Sequence, residues 1–202
     1  MAQIVPTQSA ALTAGAFSHS TYVIKRPFLS FLGRTFRVFA PTGALAMFVK
    51  HPMMKLREEF SVFADETERE PLLRIKTREI IAINPTTDVF DAVSGEKIGT
   101  IRLRGLKSML KDTWDLLDAN DQPIGLMSED SALLHRLFPI IPGKWHVELG
   151  GSEVMRVEQL FRFFTKEFAV DLSPSQGRLD PRFGAACALL ALMRELHREA
   201  KN

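Results

Sequence analysis

The stretch LDPRFGAACALLALMREL, residues 179–196, constrains the fold more than any other part of the chain. From Phe183 to Met193 it carries no polar side chain, and Arg194 and Glu195 end the run. A membrane-crossing helix needs about 20 apolar residues; this run has 11. A surface helix would show a polar stripe, and none appears before Arg194. The segment therefore predicts a buried helix over about 181–197, with Asp180 as N-cap and Pro181 at the first helical position. Gly184–Ala188 is made of small residues, which lets a surrounding wall approach closely, whereas Leu189–Met193 is bulkier.

That wall has to come from strands. From about Arg34 onward the chain reads as short strands separated by turn signals, such as Pro41-Thr42-Gly43 and the acidic tip Asp65–Glu70. Several pieces alternate with period two. Trp145, Val147 and Leu149 oppose His146 and Glu148; Phe168, Val170 and Leu172 oppose Ala169 and Asp171; Ile101 and Leu103 oppose Arg102 and Arg104. About a dozen strands result. Curling them around one helix covers that helix on every side and removes exposed strand edges. The expected fold is mainly β: an antiparallel closed barrel of about twelve strands around a central hydrophobic C-terminal helix. Residues 1–20, rich in Ser, Thr, Ala and Gly, predict a flexible lead-in without the features of a secretory signal; 21–202 form a single domain. A second helical signal covers 128–139. Ser128 is its N-cap candidate, and Leu133, Leu134, Leu137 and Phe138 share a face.

DAVSGEKIG (91–99) and DANDQPIG (118–125) both end in Ile-Gly after an Asp-rich or Ser-rich turn. They read as two hairpins with the same turn chemistry, or as a weak internal repeat.

Composition limits the function. The net charge of +2 argues against a dedicated polyanion binder. The single cysteine, Cys187, excludes an internal disulfide and a multi-cysteine zinc site, fits a reducing compartment, and sits inside the apolar run as an inert hydrophobe. The five histidines, His19, His51, His135, His146 and His197, have no metal-ligand spacing and no catalytic signature. Pairs such as Glu58-Glu59 and Glu129-Asp130 read as solvated charges. No enzyme activity, cofactor or metal is expected.

The order of FRVFAPTGALAMFVK (36–50), FDAVSGEKIGTIRLRGLKSMLKDTWDLLDANDQPIG (90–125) and FTKEFAVDLSPSQGRLDPRFGAACALLALMREL (164–196) resembles the tubby C-terminal-like superfamily. It resembles especially the phospholipid scramblases and the plant LURP-one-related proteins. The resemblance covers about residues 30–198 and implies a twelve-stranded barrel around a hydrophobic helix. It also implies, more loosely, binding of phosphoinositides or other anionic lipid at the cytoplasmic membrane face. Where scramblases carry a calcium-binding-like acidic segment, this chain has FTKEFAVDL with only Glu167 and Asp171 as acids, too few oxygens for a hard cation. Their cysteine-rich lipid-carrying stretches are absent too.

Two surface candidates follow. RLRGLKSMLK places Arg102 and Arg104 on the outer face of a strand, with Lys107 and Lys111 in the next loop. These four, extended by Lys55 and its neighbours Lys50, His51 and Arg57, are the candidate holders of an anionic head group; an ordinary solvent face is the alternative. Lys25, Arg26 and Arg34 add basic residues among apolar ones. The second candidate is ALLHRLFPIIPGKW (132–145). There Phe138, Ile140, Ile141 and Trp145 either dip into a membrane, contact a partner protein, or close one barrel end. The partners expected are therefore anionic lipid or another protein, with nucleic acid disfavoured. The location expected is cytoplasmic or peripheral to a membrane, without a transmembrane segment.

Overall fold

The computed structural model describes residues 8–27, 34–51, 59–78, 84–105, 111–130, 142–160 and 165–199. It begins with helix α1 (Gln8–Ala16). Twelve strands follow: β1 (Thr21–Pro27), β2 (Arg34–Phe39), β3 (Leu45–His51), β4 (Glu59–Phe63), β5 (Pro71–Thr77), β6 (Thr86–Asp91), β7 (Lys97–Leu103), β8 (Thr113–Leu117), β9 (Pro123–Glu129), β10 (Lys144–Leu149), β11 (Ser152–Leu160) and β12 (Thr165–Asp171). A short 3-10 turn, Ser173–Ser175, leads into helix α2 (Pro181–Glu199). Each strand pairs antiparallel with its neighbours in sequence, and β1 pairs with β12, so the sheet is a closed barrel. This is the architecture expected from the sequence.

The barrel is built from hairpins that share one device. The pairs β2–β3, β4–β5, β6–β7, β8–β9 and β10–β11 each carry a register shift near the turn. Such bulges raise local twist and bend the strands, which helps a sheet to curl shut. The two Ile-Gly sequences supply further close approaches. A Cβ on Gly99 would lie 2.8 Å from the carbonyl oxygen of Leu117 and 2.8 Å from the ring of Phe183, where α2 enters. A Cβ on Gly125 would lie 2.0 Å from the carbonyl oxygen of Glu148. Their turns match as well: the carboxylates of Asp91 and Asp118 each accept two backbone N–H groups of their own turn.

Helix α2 fills the lumen. The Asp180 side chain accepts the Arg182 N–H at 2.9 Å, capping the helix as its sequence predicts. Ala186, Cys187, Ala188 and Leu189 are wholly buried, and only Leu190 and Arg194 of the segment from Phe183 to Leu196 are partly exposed. Between α2 and the wall formed by Tyr22, Val38, Met47 and Val170 the residual void is about 10 Å³, room for roughly one water molecule. No helix among the described residues is long and apolar enough to cross a membrane.

Three expectations need correction. The segment 1–20 is not simply a flexible lead-in, because α1 occupies 8–16. Thr13, Ala16 and Phe17 are buried, and the Tyr22 hydroxyl donates to the Ala16 carbonyl at 3.0 Å, so this end gains apolar burial by docking on the barrel. Ser128 and Glu129 do not begin a helix: they close β9, with Ser128 opposite Thr113 and His146. Trp145 is no surface contact. It is 1% exposed, faces the lumen between Lys144 and His146, and packs beside Phe168.

Candidate functional site

On β5 the buried side chains of Leu73 and Ile75 alternate with exposed Arg74 and Lys76. Register then decides what these cations meet. Arg74 lies opposite Phe90 and Lys76 opposite Asp88 on β6; Asp88 lies opposite Thr100, and Thr86 opposite Arg102, on β7. Arg102 in turn faces Asp115 on β8. Arg78 continues the outer face of β5, its N–H bonded to the Thr86 carbonyl at 2.8 Å. The outer wall from β5 to β8 thus gathers Arg74, Lys76, Arg78, Lys97, Arg102 and Arg104. Neighbouring strands are about 4.8 Å apart and same-face residues about 7 Å apart along a strand.

A third of this charge is internally compensated within one cluster. The Arg78 guanidinium donates to both carboxylate oxygens of Asp88 at 2.7 Å and to Asp121 at 2.7 Å. Lys97 reaches Asp121 at 2.7 Å and Asp88 at 3.3 Å. The buried Thr100 hydroxyl lies 2.7 Å from Asp88 and 2.9 Å from Asp121. Asp121 sits in a left-handed conformation, φ 62, in the β8–β9 turn, and its three side-chain donors fix it there. Those bonds, from Lys97, Arg78 and Thr100, hold its carboxyl well below the ordinary carboxylate range. For Asp88 burial acts upward, but the bonds from Arg78 and Thr100 outweigh it, and its value is also lowered. Two cations and two anions leave this cluster neutral.

The remainder is not neutral. Arg74, Lys76, Arg102 and Arg104 contribute four positive charges against Asp115, a balance of +3; Glu59, opposite Lys76 on adjoining β4, reduces it by one. Arg104 grips Asp115 at 2.9 and 2.5 Å, which raises its own pKa. Arg102 is held loosely, 3.8 Å from the second Asp115 oxygen and 44% exposed. Arg74 and Lys76 make no side-chain hydrogen bond or ion pair with any described residue.

Of the residues anticipated from sequence, Arg102 and Arg104 lie on this wall and Lys111 is exposed just before β8. Lys107, Lys55, Arg57, Phe138, Ile140 and Ile141 lie outside the described residues, as do the side chains of His51 and Arg34. Lys50 pairs with Glu68 at 3.0 Å, and Lys25 with Glu167 at 3.4 Å. Arg26 is buried, so it adds nothing to a surface patch. Sequence reading missed Arg74, Lys76, Arg78 and Lys97. The first three were detectable, since Arg-x-Lys-x-Arg in PLLRIKTR puts three cations on one face of a strand.

Groups with other chemistry are committed elsewhere. Cys187 is fully buried, and burial pushes its thiol far up, away from the reactive thiolate. His146 is bracketed by carboxylates, Nδ1 against Asp130 and Nε2 3.3 Å from Glu148. Among the described residues no three His, Cys, Asp or Glu side chains converge to hold a metal ion. Comparison with known protein families and with curated proteins yields no match.

Proposed function

We propose that the barrel is a non-catalytic binding module that recognises anionic phospholipid head groups on the outer wall from β5 to β8. The observation that carries this reading is the positive balance, +2 with Glu59 included, with Arg74 and Lys76 exposed and uncommitted on β5 and loosely held Arg102 two strands away on β7. Ionised donors make the strongest hydrogen bonds to phosphate oxygens. Arg74 and Lys76, same-face neighbours about 7 Å apart along one strand, are spaced closely enough to share one head group or bridge two. The lumen is already filled by α2, so a ligand meets the barrel from outside. The resemblance of the sequence to the tubby-like and scramblase families suggests the same direction, the cytoplasmic membrane face.

The test is co-sedimentation with phosphatidylcholine vesicles, with and without phosphatidylserine. Each cation near such a surface contributes about 1 kcal/mol. Arg74→Gln with Lys76→Gln should therefore weaken binding about 30-fold at low salt. Folding should be untouched, because neither side chain is engaged. Equal binding to both vesicle types, or full retention by the double variant, would sink the proposal.

A further inference from the structure

The wall opposite the basic one carries the opposite sign. Twelve strands close in sequence order, so β11 lies six strands from β5 whichever way the barrel is followed. The outer face from the end of β9 to β12 holds six carboxylates: Asp130, Glu148, Glu153, Glu158, Glu167 and Asp171. Three cations meet them. Lys144 pairs with Glu158 at 2.6 Å, Arg156 with Glu153 at 2.8 Å, and Lys25 of β1 with Glu167 at 3.4 Å. Arg26 and Lys166 have the parity of the lumen-facing Ile24 and Phe168, so they are not part of this face. Asp130 and Glu148 share His146, and Asp171 accepts the N–H and hydroxyl of Ser173. Six negative against three positive charges leave a balance of −3 with His146 neutral. Glu148 and Glu153 stand directly opposite each other on β10 and β11. Like charges so placed cost stability, so folding gains nothing from gathering them.

Both walls also carry apolar side chains among their charges. On the basic wall, half-buried Phe90 stands between Arg74 of β5 and Lys97 of β7. On the acidic wall, Ala169 stands between Val23 of β1 and Glu158 of β11. Apolar contact inside a polar rim is the usual composition of a protein interface. The occupant whose charge complements the acidic wall is present in every solution of the protein, because each copy carries the basic wall as well. We propose that the acidic wall of one copy docks the basic wall of a second copy, so that the chain associates head to tail. Every strand is paired on both sides, so the contact runs through side chains rather than an added strand. The two walls face away from each other, so the contact does not close as a two-fold dimer and extends instead as an open row. Both walls are convex, which keeps the buried strip narrow and the association weak and reversible. Docking covers Arg74 and Lys76 and therefore competes with any other ligand of the basic wall. It does not rest on the head-group reading.

The test is sedimentation velocity of the full chain, without vesicles, over a range of protein concentrations. At about 0.01 M salt, where charges act over about 30 Å, sedimentation should quicken with concentration; at about 1 M, where they act over about 3 Å, it should not. Arg74→Glu with Lys76→Glu makes both walls acidic. Glu153→Lys with Glu158→Lys makes both walls basic. The first pair is uncommitted and the second sits in surface ion pairs, so neither exchange should unfold the barrel. Each variant alone should sediment as a monomer at low salt, and an equimolar mixture of the two should recover the association, which a folding defect does not mimic. A parent that stays monomeric at low salt, association that survives 1 M salt or either exchange, or a mixture that stays monomeric would each overturn the proposal. Vesicles are absent throughout, so the head-group reading stands or falls separately.

Discussion

Asp115→Asn tests the head-group reading by gain rather than loss. Asp115 is the one carboxylate inside the unbalanced part of the wall, and both Arg104 and Arg102 turn toward it. Replacing it by the isosteric amide raises the local balance by one, from +2 to +3 with Glu59 included. It also converts the 2.9 and 2.5 Å charge-assisted contacts of Arg104 into weaker neutral ones. One added charge at an anionic surface is worth about 1 kcal/mol, which is about fivefold tighter binding. The cost to the fold is small: Arg104 is 40% and Asp115 24% exposed, and such pairs contribute about 0–1 kcal/mol. The variant should thus bind phosphatidylserine vesicles more tightly while melting at a slightly lower temperature. The gain should vanish on neutral vesicles, near 1 M salt where screening acts over about 3 Å, and when Arg102→Gln and Arg104→Gln are added. Unchanged or weaker binding to anionic vesicles would refute the reasoning, because a structural salt bridge alone predicts no gain.

Three further outcomes follow from the fold. Gly125→Ala forces a Cβ to 2.0 Å from the backbone oxygen of Glu148, which cannot move without parting β9 from β10. It should cost about 3 kcal/mol or more, whereas Gly15→Ala in α1, with nothing within 4 Å, should stabilise by up to about 1 kcal/mol. Urea midpoints at constant m separate the two. Leu189→Ala should cost about 2–5 kcal/mol, because the side chain is wholly buried in the packed lumen. Asp88, Asp91 and Asp121 all titrate below their ordinary value in the folded protein. Depressed carboxylates contribute stability that is complete above the unfolded value, about 3.9, and that disappears as pH falls below it. Acid titration of thermal stability should show this loss, and Arg78→Met, which removes a shared donor to Asp88 and Asp121, should make it shallower.

The parts of this molecule that were legible in its sequence are those set by near neighbours along the chain. Asp180, Pro181 and the run from Phe183 lie within a few turns of one helix, so capping and burial could be read directly. Strand faces were equally local: the alternation around Trp145 already placed it inward, which is why it could not also serve as a surface contact. The wall was not local. Lys76 meets Asp88, Asp88 meets Thr100, and Arg102 meets Asp115 only through successive registers, the β6–β7 one shifted by a bulge. Nor does any run of sequence reveal that Arg78 is spent on Asp121 across the barrel wall while its neighbour Lys76 is not.

These two outcomes share a cause. The helix that makes the fold readable also fills the barrel, leaving about 10 Å³ between itself and the wall at Tyr22, Val38 and Met47. A lumen closed to ligands moves binding to the outer wall and the barrel ends, where solvent tolerates almost any polar residue and pattern carries least information. What distinguishes a binding wall there is the imbalance left after every local pair is counted. Arg78 and Lys97 drop out of that count against Asp88 and Asp121, Arg104 largely drops out against Asp115, and Arg74, Lys76 and Arg102 remain. The face that should be sensitive to substitution is therefore centred on β5, one hairpin before the RLRGLK sequence that first drew attention to it.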